Sequence, residues 1–354
     1  MDKPLTDPGA VTLTIRSPQD AIAAAPYIFG FHPAQSLVVL GFGGPSNLCA
    51  MRLDLPRPGS AAGRRDTTER LSALLTRNGC RQALLLGYGS PEQVTPLIDG
   101  ARRVLAALGI TVKDALRVHE GRWWSYLCTD PACCSPEGVP YDISSTVVAA
   151  EATLAGHVVY ADRSELKDSI APLDGPARRS MQEATRRAQA RLLSWAATDP
   201  APAEIQSHML QEAVPLITDL TTRASHGADP PTDDEIAWLS LLLTNLRIRD
   251  EAWVRIDPDD PKPSVAFWRD VLRRVEAPYT PAPACLLAYA AYAAGDGSLA
   301  NLALDRAAEA DPTYTLTLLL REVLHAGIPP SKARLNMTPE DLSLAHSDQD
   351  PAPP

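Results

Sequence analysis

The sequence predicts an α/β domain with a mixed sheet, followed by an all-α helical domain that contains one tetratricopeptide-like helix pair. Three observations predict this order. Short apolar runs alternate with amphipathic helical stretches up to about residue 160, which is the pattern of a layered α/β fold. From about residue 177 the apolar spacing is helical. The chain of 354 residues is long enough for two domains, and 45% hydrophobic residues suffice for packed cores.

Changes in composition along the chain set the predicted boundaries. We expect a flexible N-terminus over 1–11, an α/β domain over 12–160, a helical domain over 161–336 and a disordered tail over 337–354. The tail is acidic and contains several prolines, so it has little apolar surface to bury.

In the predicted α/β domain, strands and helices follow one another closely. They are, in order, strands over 36–42 and 48–55, a helix over 67–79, a strand over 82–89, a helix over 90–109 and one or two strands over 115–128. The first two strands flank the turn GGPSN, which predicts a hairpin or a close strand pair. Ser90 is predicted to cap the second helix, with Pro91 in its first turn and Gln93 completing a capping box.

The predicted helical domain consists of amphipathic segments separated by Gly and Pro. Helices are predicted over 177–197, 232–253 and 264–275, with three more over 283–327. Thr232 and Glu235 form a capping box. Six positions have the spacing of one tetratricopeptide-like pair: Leu287, Ala288, Ala300, Leu304, Ala307 and Pro312. A local helical hairpin inside a bundle is the favoured interpretation, and a partner-binding groove is the alternative.

Charge and composition exclude several classes of function. The formal net charge of −10 argues against a surface that binds nucleic acid. The N-terminus has no signal-peptide core, and the longest apolar run is too short to span a bilayer, so we expect a cytoplasmic protein without membrane contact. Six cysteines are few for a secreted disulfide scaffold. Cys49, Cys80 and Cys285 lie among apolar neighbours and are predicted to be core residues.

The segment GRWWSYLCTDPACCSPEGVPYD, residues 121–142, is chemically the least ordinary part of the chain. Its three cysteines are Cys128, Cys133 and Cys134. Structural zinc sites usually take paired Cys-x2–4-Cys knuckles. This segment has Cys-x4-Cys-Cys with no second knuckle elsewhere in the sequence, and adjacent cysteines rarely both reach one ion. We therefore expect no metal here and interpret the cysteines as free residues that pack a proline-flanked turn. The alternatives are a zinc site with His32 or His119 as fourth ligand, a disulfide from Cys128, and a reactive thiol.

The turn GYGS at 87–90 is a candidate for holding an anion. It follows a strand and opens a helix, so Gly87, Gly89 and Ser90 are candidate ligand-binding residues at a helix N-terminus. Gly-x-Gly alone is a weak signal, and Pro91 removes one amide. An ordinary strand-to-helix turn is the favoured interpretation.

His32, Arg122 and Trp124 complete the candidate ligand-binding residues. Pro33 holds His32 extended, which favours a structural hydrogen bond, with a general base or ligand contact as the alternative. Cys128 with His32 or His119 is the pair to test for nucleophilic catalysis. The sequence has no Walker A, His-Glu-x-x-His or Gly-x-Ser-x-Gly motif, and no cofactor is predicted.

Four stretches together resemble a known family. They are 17–42, 121–138, 246–253 and 295–320, and the most specific parts are Gly-Phe-His-Pro at 30–33 and the Arg-Trp-Trp…Cys-Cys segment. Over roughly residues 12–335 the chain is similar to the actinobacterial DUF4192 family of uncharacterised proteins. The resemblance implies one family unit over nearly the whole chain and an actinobacterial, cytoplasmic setting. It implies no activity.

These observations predict a non-enzymatic interaction or regulatory protein, with a ligand- or partner-binding groove between its two domains. Its ligand would be an unknown protein partner or an anionic small molecule, with neither nucleic acid nor membrane as a partner. The alternative is a small-molecule or nucleotide-handling enzyme with a site near His32, the Gly87–Ser90 turn and the Arg122–Cys134 segment. A concave site in which His32, Arg122 and a cysteine converge would favour the enzyme.

Overall fold

The computed structural model describes residues 15–44, 48–154, 158–197, 201–335 and 337–347. The chain divides into two compact units, Met1–Leu166 and Lys167–Pro354. The first contains a mixed sheet with helices and the second is helical, which confirms the predicted fold class at this level. The predicted flexible N-terminus, 1–11, lies outside the described residues.

The first unit alternates strands and helices. Its described elements are α1 (Pro18–Phe29), β1 (Ser36–Phe42), β2 (Cys49–Asp54), α2 (Ala61–Arg77), β3 (Gln82–Tyr88), α3 (Pro91–Ala107), β4 (Thr111–His119), β5 (Arg122–Ser125), β6 (Val139–Pro140) and α4 (Val147–Leu154), and α5 (Arg163–Asp168) crosses into the second unit. α1 was not predicted, although Ser17 caps it by accepting the Asp20 N–H at 3.1 Å. α2 begins before the predicted residue 67 because Ser60 caps it in the same way.

The strands form one sheet in the order β2-β1-β3-β4-β5-β6. β3 and β4 are parallel, and the other neighbours are antiparallel. The predicted hairpin of β1 and β2 is confirmed. The stretch predicted as one or two strands forms two, because Glu120 and Gly121 both take positive φ angles, 47° and 72°, and reverse the chain.

Both faces of the sheet are buried. On one face α2 and α3 pack against β1 and β3, with Leu75 and Leu97 in the same core cluster as Leu85. On the other face Val38 and Leu116 are fully buried, and α1 contacts β4. A strand covered on both faces carries a nearly continuous apolar run, which explains the sequences SLVVLGF and ALLLGY.

The second unit is built from helices. They are α6 (Gly175–Ala196), α7 (Pro202–Ser225), α8 (Asp233–Leu242), α9 (Leu246–Trp253), α10 (Lys262–Arg274), α11 (Pro281–Ala293), α12 (Gly297–Ala310), α13 (Thr315–His325) and α14 (Pro339–Ser347). The predicted capping box opens α8: the Thr232 hydroxyl accepts the Glu235 N–H at 3.2 Å, and the Glu235 carboxylate accepts the Thr232 N–H at 2.7 Å. The predicted helix 232–253 is two helices, because Asn245 caps a new one, α9.

α11 is buried from Pro281 to Tyr292, and it packs on α12. A helix that is apolar on all sides is stable inside a core. The small residues of the predicted pair, Ala288, Ala300 and Ala307, are all buried. The pair therefore belongs to the interior of the helical unit, and a tetratricopeptide repeat is not established. None of the described helices is long and apolar enough to cross a lipid bilayer.

Part of the predicted disordered tail, 337–354, is helical. The Thr338 N–H and hydroxyl both donate to Asp341 Oδ2 at 2.9 Å, and the Asp341 N–H donates back to the Thr338 hydroxyl at 3.1 Å. These bonds open α14, and Leu342 is 6% exposed. Overall composition does not show this local capping pattern, which starts a helix even though the segment is acidic. Residues 348–354 lie outside the described part of the chain.

Candidate functional site

Residues 126–138 connect β5 to β6, and we call this segment the thiol loop. The sulfur atoms of Cys128, Cys133 and Cys134 lie within 4.8 Å of one another. The Sγ atoms of Cys133 and Cys134 are 4.0 Å apart. Cys133 is exposed, the other two are partly buried, and all three are free thiols. The loop therefore presents a cluster of three thiols that solvent can reach.

The start of the thiol loop is tied to the sheet through Ser125. Its hydroxyl oxygen accepts the N–H groups of Leu127 and Cys128, both at 3.1 Å, and donates to Asp114 Oδ1 at 2.8 Å. The same carboxylate oxygen accepts the Ala115 N–H at 2.8 Å. Cys128 is thus held at a defined distance from β4.

Asp130 acts on all three cysteines. Its carbonyl oxygen accepts the N–H groups of Cys133 at 3.1 Å and Cys134 at 2.8 Å. Its backbone N–H also lowers the pKa of the Cys128 thiol. Its carboxylate accepts the Ala132 N–H at 2.9 Å, which closes an Asx turn before the cysteine pair. Sequence reasoning missed Asp130, although Asp-Pro before a short turn is a signal for this geometry.

Both adjacent cysteines face Cys128 in this turn, and the expectation that they hold no metal stays a prediction. The N–H groups of Cys133 and Cys134 bond to the same carbonyl oxygen, so the backbone curls and both sulfurs turn towards Cys128. Neither His32 nor His119 belongs to the described group of possible ligands. The fourth ligand that the zinc alternative required is therefore not one of these two histidines.

The thiols of Cys128 and Cys134 have unequal acidity. The Asp130 N–H, followed by the Cys134 thiol, lowers the pKa of Cys128 by bonding to its sulfur. Partial burial, followed by hydrogen bonds with Cys128 and Cys133, raises the pKa of Cys134 to about 12. As pH rises, Cys128 therefore becomes a thiolate before Cys134.

Trp124 holds the far end of the thiol loop. Its indole N–H donates to the Pro136 carbonyl at 3.0 Å, and the Arg117 guanidinium lies 3.5 Å from its ring centroid. Gly138 has φ 83°, and a Cβ atom there would lie 2.5 Å from the indole ring. Trp124 is only partly buried, whereas Trp123 is the core ring, with 7% exposure.

Arg122 bonds to the backbone at the end of the loop. Its guanidinium donates to the Gly138 carbonyl at 2.8 Å and, more weakly, to the Glu137 carbonyl at 3.5 Å. Arg122 lies opposite His119 at one end of β5, whereas Cys128 follows the other end of that strand. The contacts of Arg122 are those of a loop anchor, and its role in anion binding stays a prediction.

The two glycines of the Gly87–Ser90 turn make room for packing. A Cβ atom at Gly87 would lie 2.2 Å from Val94 Cγ1 of α3, and one at Gly89 would lie 2.8 Å from Leu55 Cδ1. Close approach of helix and strand accounts for Gly87 without a bound phosphate. The ligand-binding role of this turn stays a prediction.

The predicted capping box at Ser90 is wrong. Pro91 lies in the first turn of α3 as expected, but the Ser90 side chain makes no capping hydrogen bond. It bonds instead to the Glu92 carboxylate and thereby lowers the pKa of Glu92. The spacing of a capping box permits the bond, but a competing acceptor two residues away takes the hydroxyl.

The His32 backbone belongs to a bridge between distant parts of the first unit. Its N–H donates to the Tyr160 carbonyl at 3.1 Å, beside the pairing of Phe31 with Tyr160, and its side chain is exposed. A cavity of about 790 Å³ opens at the start of the thiol loop, and its lining includes Leu127 of that loop and Arg103 of α3. His32, Arg122 and the cysteines do not line it, so the convergence that would favour an enzyme is not found there.

A row of four buried residues crosses the sheet beside the Gly87–Ser90 turn, and we call it the buried row. Ser36, Tyr88, Val118 and Trp123 are neighbours in register across four strands. Among the described residues, Ser36 Oγ, Tyr88 OH and Trp123 Nε1 are buried without a hydrogen-bond partner. Sequence reasoning missed this row, because register alone brings its members together.

Residues 18–331 match the family model described as Domain of unknown function (DUF4192). The chain belongs to the DUF4192 family. The resemblance seen in the sequence is thereby confirmed, and the match includes the whole thiol loop of this DUF4192 chain. No curated protein and no solved structure matches it. The family description assigns no activity, so the function of this DUF4192 chain has to be argued from its own geometry.

Proposed function

We propose that this DUF4192 chain is a non-enzymatic regulatory protein, and that the thiol loop is the place where it responds to a thiol-specific ligand. The observation that carries the proposal is the convergence of three free thiols within 4.8 Å on an accessible loop. Clustered thiols bind soft metal ions, or two of them form a disulfide while hydrogen peroxide takes up their two electrons and two protons and becomes two molecules of water. Either event alters the loop that carries them.

The surroundings of the cysteines support regulation over catalysis. A nucleophilic cysteine needs an adjacent base, normally a histidine that a third group orients. Within the described part of the chain, the groups that act on the Cys128 sulfur are instead the Asp130 N–H and the thiols of Cys133 and Cys134. A thiol cluster held by backbone hydrogen bonds suits reversible binding.

The two ends of the thiol loop offer a route for the response. Ser125 ties one end to Asp114, and Trp124 and Arg122 tie the other to the carbonyl groups of Pro136 and Gly138. A ligand that rearranges the turn at Asp130 therefore acts on β5 and β6 through short hydrogen-bonded connections. A protein partner would distinguish the ligand-bound loop from the free loop. The groove expected between the two domains stays a prediction.

Native mass spectrometry of the full chain, purified from its own host, tests the proposal. The triple variant Cys128→Ser, Cys133→Ser, Cys134→Ser is compared with wild type and with Cys285→Ser, which changes a buried cysteine of the second unit. We expect a bound metal ion or an oxidised thiol in wild type and in Cys285→Ser, but not in the triple variant. Hydrogen exchange at the amides of β5, Val139 and Tyr141 should also differ between the occupied and the free protein. The same bound or oxidised species and the same exchange in all three proteins, or no such species in wild type, would contradict the proposal.

The buried row favours a second candidate function, a small-molecule-handling enzyme near the Gly87–Ser90 turn. Unpaired polar atoms of Ser36, Tyr88 and Trp123 are groups that a polar ligand could satisfy. Thermal-shift measurements with inorganic phosphate and nucleoside triphosphates test it. A shift in wild type that Tyr88→Phe removes would support this candidate, and the absence of any shift in wild type would count against it for these ligands.

A further inference from the structure

We infer that Cys128, Cys133 and Cys134 form a three-thiolate site for one Zn²⁺ ion, with a fourth coordination position open to a ligand from outside the loop. The inference rests on the proposed function, because it identifies the ligand to which the thiol loop responds. It reverses the expectation from spacing alone that this segment holds no metal.

The sulfur positions match tetrahedral coordination closely. Zn–S bonds of about 2.3 Å at tetrahedral angles place two sulfurs about 3.8 Å apart. The Sγ atoms of Cys133 and Cys134 are 4.0 Å apart, and all three sulfurs lie within 4.8 Å of one another. Small χ1 rotations of these side chains, one of which is exposed, close the remaining gap.

The backbone around the cysteines is organised before any ion binds. The Asp130 carbonyl fixes the N–H groups of Cys133 and Cys134, and the Asp130 N–H lowers the pKa of the Cys128 thiol. Backbone bonds that fix the positions of Cys133 and Cys134 reduce the freedom that their side chains lose when an ion binds.

The donor atoms restrict the kind of ion. Three sulfurs and no carboxylate make up the described group, which excludes the hard ions Mg²⁺ and Ca²⁺ as preferred occupants. Binding forms three Zn–S bonds, and the thiol protons leave to solvent. The ion then offsets the mutual repulsion of three neighbouring thiolates.

The fourth position is open within the described part of the chain. The described group of possible ligands holds three cysteines and no histidine or carboxylate. Closed structural zinc sites have four protein ligands, whereas three protein ligands leave a position for water or another donor. An imidazole or thiolate of a protein partner fits that position, which gives the loop a way to recognise a partner through its metal.

Titration of the reduced, metal-free full chain tests the inference. Zn²⁺ is added in competition with a chromophoric chelator, and Co²⁺ is added separately as an optical probe. We expect one equivalent of metal, a thiolate-to-cobalt charge-transfer band and the visible bands of tetrahedral Co²⁺. Each of Cys128→Ser, Cys133→Ser and Cys134→Ser should weaken Zn²⁺ binding by at least about 100-fold, since changes to outer-shell partners already reach that size.

Two controls keep the titration interpretable. Cys285→Ser should bind Zn²⁺ as wild type does, and thermal melts of the metal-free loop variants should match wild type, since these cysteines are exposed or partly buried. Added imidazole should shift the visible bands of the Co²⁺ protein if the fourth position is open. Unshifted bands would overturn the open position.

Failure of the inference and failure of the proposed function are distinguishable. If Zn²⁺ does not bind, or binds to all three loop variants as tightly as to wild type, the zinc site is overturned. If the loop cysteines of that protein still form a disulfide with hydrogen peroxide and this changes hydrogen exchange at the amides of β5, Val139 and Tyr141, the proposed function stands. If neither zinc nor oxidation has any effect, both are overturned.

Discussion

Cys49 and Cys80 lie together at the packed edge of the sheet, whereas Cys128, Cys133 and Cys134 lie together on the thiol loop. Burial, followed by the neighbouring Cys80, raises the pKa of Cys49 to about 12, and burial also raises the pKa of Cys80. On the loop, the Asp130 N–H lowers the pKa of Cys128. Desolvation therefore keeps the first group as inert thiols, and backbone donors prepare one member of the second for ionisation.

Two adjacent tryptophans differ in the same way, one in the core and one against the thiol loop. Trp123 is 7% exposed and belongs to the sheet, while the Trp124 ring covers the end of the thiol loop. Adjacent residues of a strand face opposite sides, so one ring stabilises the core and the other positions a loop. The unusual composition of residues 121–138 therefore serves two separate purposes, core packing and the positioning of a loop.

The largest expected effect concerns the two tryptophans. Trp123→Ala should lower the free energy of unfolding by about 3–5 kcal/mol because it empties a core position. Trp124→Ala should lower it by about 1–2 kcal/mol, through loss of the contact with Arg117 and the bond to Pro136. Urea unfolding of both variants measures the difference, and equal losses would erase the division between sheet and loop.

Thiol labelling should separate the two groups of cysteines. In the native, metal-free protein, a soluble alkylating reagent should modify Cys128 faster than the buried Cys80 by on the order of 100-fold or more, since a buried group reacts only through opening of the structure. It should also modify Cys128 faster than the partly buried Cys49, because the raised pKa of Cys49 keeps that thiol protonated. Because the pKa of Cys128 is lowered, its rate should reach half of its maximum below the pH expected for an ordinary cysteine. Peptide mapping over time and pH checks both points. Labelling of Cys49 as fast as Cys128 would show that the sheet edge is open.

Serine has nearly the size of cysteine, so Cys→Ser substitutions test how each thiol's surroundings tolerate a hydroxyl. Cys80→Ser places a hydroxyl in an apolar, buried position and should destabilise the protein by about 1–3 kcal/mol. Cys133→Ser, on the exposed side of the loop, should change stability by less than about 0.5 kcal/mol in the absence of metal. Thermal melts under reducing conditions provide the measurement. A costly Cys133→Ser would reveal a packing role for this thiol.

The smallest effect is expected at the buried row beside the Gly87–Ser90 turn. Tyr88→Phe removes a hydroxyl that has no partner among the described residues, so stability should stay within about 0.5 kcal/mol of wild type or rise slightly. Unfolding in denaturant measures this change. A loss above about 1 kcal/mol would mean that the hydroxyl is bonded in solution, by water or a ligand.

Local signals in the sequence predict many elements of this chain. The hairpin of β1 and β2, the capping box at Thr232 and the helices α11, α12 and α13 follow from turn residues, caps and periodicity. Family membership was recognisable as well, because it depends on motifs that lie in the sequence itself. Each of these features is decided by residues only a few positions apart.

The capping box predicted at Ser90 is wrong even though its spacing is correct. The Ser90 hydroxyl bonds to the Glu92 side chain, and a spacing pattern does not show which of two acceptors or donors a hydroxyl will choose. Gly87 and Gly89 likewise suggested a ligand, whereas Val94 and Leu55 occupy the space beside them. Knowing what lies next to a glycine requires the packing of a distant segment.

The sequence by itself determined the β1–β2 hairpin, the alternation of strands and helices over 36–109, the family and the unusual character of residues 121–142, because propensity, capping and motif are local properties. Only the tertiary structure decided that Cys128, Cys133 and Cys134 converge, that Trp123 is the buried ring and that Arg122 bonds to loop carbonyls. The convergence depends on hydrogen bonds from Ser125 and Asp130, and the burial depends on strand register. Spacing along a chain limits which residues can meet, but the direction of each side chain is set by the backbone bonds and neighbours around it.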